Sequence, residues 1–202
     1  MSKWKLAGGM VPNDRETNNV KPTWENSISP SGKVSETGDQ EYLNLWTEHF
    51  ADFSGKILEI GAGTGFLAHN ILQRNSNVDY SILDLEAHFK EIQHTLKDYP
   101  DVSFIKSSEY KKIFEQEWDL LVETHCLSET PIYYYTDIFE NLSVKNCFVV
   151  DYGNTYEDPV FQPTLDKWFD ETFSTKQRLT NNKLLGGDKK DIPVYIGKSS
   201  VD

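Results

Sequence analysis

Three glycines at alternate positions close an apolar run in Ile57-Leu58-Glu59-Ile60-Gly61-Ala62-Gly63-Thr64-Gly65-Phe66. Glycines reach positive φ and let backbone approach a ligand, and the N–H groups opening a following helix point at it. A buried strand running into such a turn puts a nucleotide-type pocket at the strand's carboxyl end. The spacing is G-x-G-x-G, and Phe66 stands where a dinucleotide turn needs its third glycine. Glu59, just ahead of the turn, suits a cationic ligand better than a pyrophosphate. The plain alternative is a glycine turn that holds nothing.

A second acid is placed by spacing. Tyr80-Ser81-Ile82-Leu83-Asp84 ends in a carboxylate about 20 residues beyond Gly65, the separation of a ribose-binding acid in nucleotide folds. A carboxylate accepting both ribose hydroxyls makes charge-assisted bonds of roughly 1.5–3 kcal/mol each. Glu86, two residues on, is its rival, and capping the next helix is the other role open to Asp84.

Positioning these groups requires an alternating chain. Thr37-Gly38-Asp39-Gln40 fits a capping box, and Tyr42, Leu45, Trp46, His49 and Phe50 form one helical stripe that Gly55 ends. Strands are expected over 56–60, 79–83, 102–105, 119–124 and 147–151, with helices over 66–74, 86–99, 109–114, 131–142 and 163–173. Pro131 is expected in the first turn of its helix. Two further strands are expected over 176–180 and 193–197. Such alternation with apolar strands means a parallel sheet covered on both faces. One α/β domain over 37–202 accounts for the chain after an irregular arm, 1–36, broken by Gly8, Gly9, Pro12, Pro22, Pro30 and Gly32. That arm reads either as a partly disordered leader or as a lid, with Trp4, Trp24 and Ile28 as anchors.

Composition narrows the partners. The 202 residues hold 32 acids and 20 bases, a net charge of -12, which a nucleic-acid backbone would repel. No apolar run nears the roughly 20 residues that cross a bilayer, and the start lacks a secretory core. Cys126 and Cys147 sit in apolar or strand-like runs, so no disulfide framework is expected, and the cytoplasm is the expected compartment. The 42–50 stripe serves either the core or a second subunit, leaving an oligomer open.

On the motif LEIGAGTG (Leu58 to Gly65) and the strand order over 37–197, the chain resembles the class I S-adenosylmethionine-dependent methyltransferases. The resemblance implies a Rossmann-like, seven-stranded, mostly parallel sheet with helices on both faces, and S-adenosylmethionine as cofactor. It implies that Gly61, Ala62, Gly63 and Gly65 shape the cofactor turn, and that Glu59 faces the methionine amino end. Asp84 would hold ribose, with Leu85 and Thr124 among the cofactor contacts. Ser107 and Ser108 stand where the family reaches adenine, usually with an acid at the position of Ser108; helix capping is their alternative.

In that family the residues just past strand four face the sulfonium methyl. Transfer is an in-line displacement that needs the acceptor oxygen held close and its proton removed. His125 titrates near neutrality and is the candidate base, with Glu123 and Glu129 orienting it or binding hydroxyls. A polar-loop histidine and a capping acid ahead of Pro131 are the alternatives. The segment 127–131 is similar to bacterial sugar O-methyltransferases, implying an acceptor hydroxyl on a sugar or sugar nucleotide. Tyr133, Tyr134 and Tyr135 follow, and only one or two of them can face a cleft from a helix.

Thr124-His125-Cys126-Leu127 does not match the proline turn of amino-methylating enzymes, and Cys126 lacks the proline that precedes a cytosine-attacking thiol. Glu123 and Asp151 are too few for a metal site, so none is expected. Six bases (Lys176, Arg178, Lys183, Lys189, Lys190, Lys198) against Asp188 and Asp191 make the end locally basic, around a turn at Gly186-Gly187-Asp188. A phosphate-bearing acceptor or a solvated hairpin face explains it. The expected function is oxygen methylation of a small hydroxylated acceptor. A methyltransferase acting on protein or RNA, or an inactive cofactor-binding subunit, are the alternatives.

Overall fold

The computed structural model describes residues 39–150, 160–181 and 192–199. Helix α1 (Asp39–Phe50) precedes β1 (Gly55–Ile60), α2 (Phe66–Arg74) and β2 (Val78–Asp84). Then come α3 (Phe89–Thr95), β3 (Ser103–Lys106), β4 (Leu120–Thr124), α4 (Ile132–Asn141) and β5 (Asn146–Val150). The order closes with α5 (Phe161–Thr172), β6 (Thr175–Asn181) and β7 (Ile192–Lys198). The sheet runs β3-β2-β1-β4-β5-β7-β6, parallel from β3 to β5, with β7 antiparallel to both β5 and β6.

Strands apolar on both faces demand cover on both. Ile57, Tyr80, Ile82, Val122 and Phe148 pack with Tyr42, Trp46 and Phe50 of α1, Leu67 and Ile71 of α2 and Ile92 of α3. The alternate residues Leu58, Ile60, Leu83, Leu121 and Val149 meet Tyr135, Ile138 and Phe139 of α4 and Leu165, Trp168 and Phe169 of α5. The chain turns to opposite sides after β1 and β4, which are neighbours. In open α/β sheets a crevice opens at the carboxyl ends of such a pair.

Several expected elements differ in detail. The helix expected over 86–99 is a 3₁₀ turn, Glu86–His88, followed by the short α3. Asp84 binds both the Leu85 N–H and the His88 ring, tying the first turn to the end of β2. The helix expected over 109–114 is a 3₁₀ segment, Ser107–Glu115, bent at Glu109 and anchored where Trp118 Nε1 donates to the Ile113 carbonyl at 2.8 Å. Pro131 sits before the first turn of α4 as its N-cap, not inside it. The arm 1–36, the capping-box residues Thr37 and Gly38, Asp151 and the Gly186-Gly187-Asp188 turn lie outside the described residues. Among the described residues no helix is long and apolar enough to cross a membrane.

Candidate active site

The glycine turn leaves β1 at the switch point. Gly61 has φ +76°, and a Cβ built there would stand 2.2 Å from Cys126 Cβ, so two backbone segments meet with no room for a side chain. Gly63, at φ +59°, has no heavy atom of the described residues within 4 Å of a built Cβ. That side of the turn is open. The Gly63 N–H donates to Asp84 Oδ2 at 3.3 Å, while Asp84 Oδ1 accepts from the Leu85 N–H at 2.6 Å and meets His88 Nδ1 at 2.8 Å. The acid at the end of β2 is thus buried against the turn. Its rival Glu86 is exposed and pairs with Lys106 Nζ at 2.6 Å.

Glu59 is 1% exposed and accepts from the Tyr80 hydroxyl at 3.1 Å. Burial pushes its carboxyl up to about 8; the Tyr80 bond works against this, and the Asp84 charge adds to it. Beside it, burial holds the Cys126 thiol well above its ordinary range, reinforced by Asp84, Glu123, Glu129 and Glu59. A thiol so disfavoured as thiolate is no nucleophile. Asp84, Glu123, Glu129 and Glu59 thus all lie close enough to Cys126 to disfavour its thiolate.

After β4, Glu123 turns inward: its Oε1 accepts from the Cys126 N–H at 2.5 Å and the Leu127 N–H at 2.8 Å, holding the Leu127–Glu129 turn. His125 is at φ +62°, rare for a residue with a Cβ, and its N–H donates to the Val150 carbonyl. The Tyr42 hydroxyl of α1 meets His125 Nε2 at 2.5 Å. Burial pushes the ring down to about 4. His125 is therefore expected to stay neutral from pH 5.5 to 8, its ring carbon shifts flat in an NMR titration; a midpoint near 6.5 would contradict the buried placement.

Thr124, His125, Cys126 and Glu129 are half-buried around this turn, and Ala62 and Leu85 flank the glycine loop and Asp84. Ser107 is half-buried and Ser108 exposed, both at the start of the 3₁₀ segment beyond β3. Tyr134 packs tilted against Tyr110 with centroids 4.4 Å apart, and Tyr135 packs edge-on against Phe161. Of the triplet, Tyr133 alone is exposed. Among the described residues no group of three His, Cys, Asp or Glu side chains is arranged to hold a metal ion. Tyr42 joins this site although its only sequence signal is a place in the apolar stripe of α1.

No family model matches the chain, and no curated protein matches it in sequence. Solved structures share its architecture. An O-methyltransferase family protein from Burkholderia thailandensis aligns over 96% of this chain and 72% of its own, with 9% identity and a TM-score of 0.60. The plantazolicin methyltransferase BpumL, crystallised with a triazolic desmethylPZN analog and SAH, aligns over 98% of this chain and 96% of its own, with 13% identity and a TM-score of 0.59. The methyltransferase domain of bacterial-CtHen1-C covers 81% and 98%, with 13% identity and a TM-score of 0.59. The fold is that of the class I methyltransferases. At these identities the likeness is one of architecture, and the expected seven-stranded, mostly parallel sheet is borne out by it.

Proposed function

We propose that the chain is an S-adenosylmethionine-dependent methyltransferase that acts on a hydroxyl of a small, sugar-like acceptor. The observation that carries this reading is the glycine turn at the β1/β4 switch point, joined to Asp84 and ringed by acids. The open side of Gly63 leaves room for a ligand beside the turn. In this reading Gly61, Ala62, Gly63 and Gly65 offer backbone to the cofactor, and Glu59 receives its amino end. Asp84 and Leu85 take the ribose, Ser107 and Ser108 the adenine, and Thr124 lies alongside. When bound, the cofactor supplies an electrophilic methyl on a sulfonium cation, which the surrounding carboxyl groups favour.

The chain's own part is to hold an acceptor oxygen in line, exclude water and receive its proton. His125 adds no positive charge near a sulfonium, because burial keeps it neutral. Glu129, at the end of the turn that Glu123 braces, is the carboxylate left to bind acceptor hydroxyls. A net charge of -12 argues against an RNA acceptor, and free Cys126 and Cys147 suit a cytoplasmic setting.

Asp84→Ala is expected to weaken S-adenosylhomocysteine binding at least ten- to a hundredfold in calorimetry, the loss of one charge-assisted bond or more. Unchanged affinity would remove the ribose assignment. Transfer itself is tested by incubating the protein with methyl-labelled cofactor and, in parallel arms, sugar nucleotides, total RNA and a protein extract. Label that base treatment leaves on the sugar supports an ether product, whereas label found only on protein or RNA would overturn the acceptor class.

A further inference from the structure

Glu59 and Asp84 are neighbouring acids in different surroundings. Asp84 is met by two backbone N–H groups and the His88 ring. Glu59 is 1% exposed, and among the described residues its carboxylate has one side-chain donor, the Tyr80 hydroxyl, and no ion pair. It lies between Ile82 of β2 and Val122 of β4 in the sheet register. Among the described residues the titratable groups facing it are Tyr80 and Asp84 from β2 and Cys126 after β4, none of them positive. From the covering helices, Tyr42 of α1 is bonded to His125, His69 of α2 packs on Tyr99, and Arg74 bonds Asn70 at the other end of α2. A carboxylate enclosed in this way, without a cation and short of donors, is costly to keep ionised and keeps its proton instead.

We propose that Glu59 exchanges its proton for the ammonium group of the cofactor, so that cofactor binding releases a proton to solvent. The inference rests on the methyltransferase reading above. In the exchange the carboxyl O–H bond breaks, the proton leaves to water, and the carboxylate pairs with the ligand's ammonium; no other group changes charge. The elevated titration of Glu59, which burial pushes to about 8, agrees with it. The two acids then divide the work: Asp84 presents a carboxylate already held by N–H donors, and Glu59 becomes charged only when a cation arrives. Binding is consequently favoured by rising pH over the range in which the ligand's amino group is still charged.

The test is calorimetric titration of the full chain at pH 6.5 in phosphate and in imidazole, whose ionisation heats differ. The difference in binding heat between the buffers counts the protons released. With S-adenosylhomocysteine the expected count is about one proton per ligand, given a carboxyl that titrates well above the working pH. With 5′-methylthioadenosine, which has the nucleoside but no amino-acid end, the expected count is none. Glu59→Gln, which keeps a partner for Tyr80, should bind S-adenosylhomocysteine more weakly and release no proton. The two ligands on the unaltered protein decide the matter even should that variant fold poorly. Binding of S-adenosylhomocysteine without proton release, or equal release with both ligands, would overturn the proposal and leave the methyltransferase reading intact. Absence of binding by either compound would overturn both.

Discussion

Gly61→Ala should destabilise the protein by about 2–5 kcal/mol, and Cys126→Gly added to it should restore the part that comes from the clash. Alanine at φ +76° costs roughly 1–2 kcal/mol on backbone grounds alone. Its Cβ would also sit 2.2 Å from Cys126 Cβ and 2.4 Å from Sγ. Cys126 cannot swing away cheaply, because Glu123 holds its N–H and that of Leu127. Overpacking of this kind adds about 1–3 kcal/mol, so the sum, roughly 2–5 kcal/mol, is a large share of the stability of an ordinary domain. Removing the Cys126 side chain lifts the clash and leaves the backbone cost, so the two substitutions should couple strongly. Urea unfolding of the two single variants and the double variant measures this. A Gly61→Ala protein within about 1 kcal/mol of wild type would contradict the close approach of the two segments.

Glu59→Gln should stabilise the protein at alkaline pH while leaving it near wild type in acid. The carboxyl ordinarily titrates at 4.5 and is raised to about 8 in the fold, chiefly by burial. Folding therefore favours the protonated form. That contribution is complete below pH 4.5 and is lost as the pH rises through about 8. At about 1.4 kcal/mol per unit, the loss across this window is on the order of 5 kcal/mol. Glutamine keeps a hydrogen-bonding partner for Tyr80 and does not titrate, so it escapes the loss. Urea midpoints at pH 5 and pH 9 provide the comparison. The gap between variant and wild type should open with pH, and parallel curves would show that Glu59 is not enclosed as described.

The parts legible in the sequence were those written in local patterns. Apolar runs of strand length announced β1, β2, β4 and β5, and the glycine spacing announced the turn between β1 and α2. The separation of Asp84 from Gly65 brought that acid to the turn, where Gly63 now binds it. Long-range contacts were not legible. Tyr42 lies 83 positions from His125, and nothing in a helical stripe signals that one hydroxyl reaches across to a strand-end imidazole. Glu123 stands one residue inside the end of β4, and no local pattern signals that its Oε1 reaches the amides of the next turn. The 3₁₀ segments after β2 and β3 carry the same pattern as α-helices, because periodicity over so few residues does not separate the two. The tyrosine triplet divided as helical geometry requires, two residues inward and Tyr133 outward.

Titration of the full-length chain with S-adenosylmethionine at neutral pH, followed by equilibrium dialysis with labelled cofactor, asks most directly whether this sheet edge holds an adenosyl ligand. Saturable binding at one site per chain, displaced by S-adenosylhomocysteine and untouched by NADH, is the expected result. A chain that unfolds cooperatively in urea, and is therefore folded, yet takes up no adenosyl compound would contradict it.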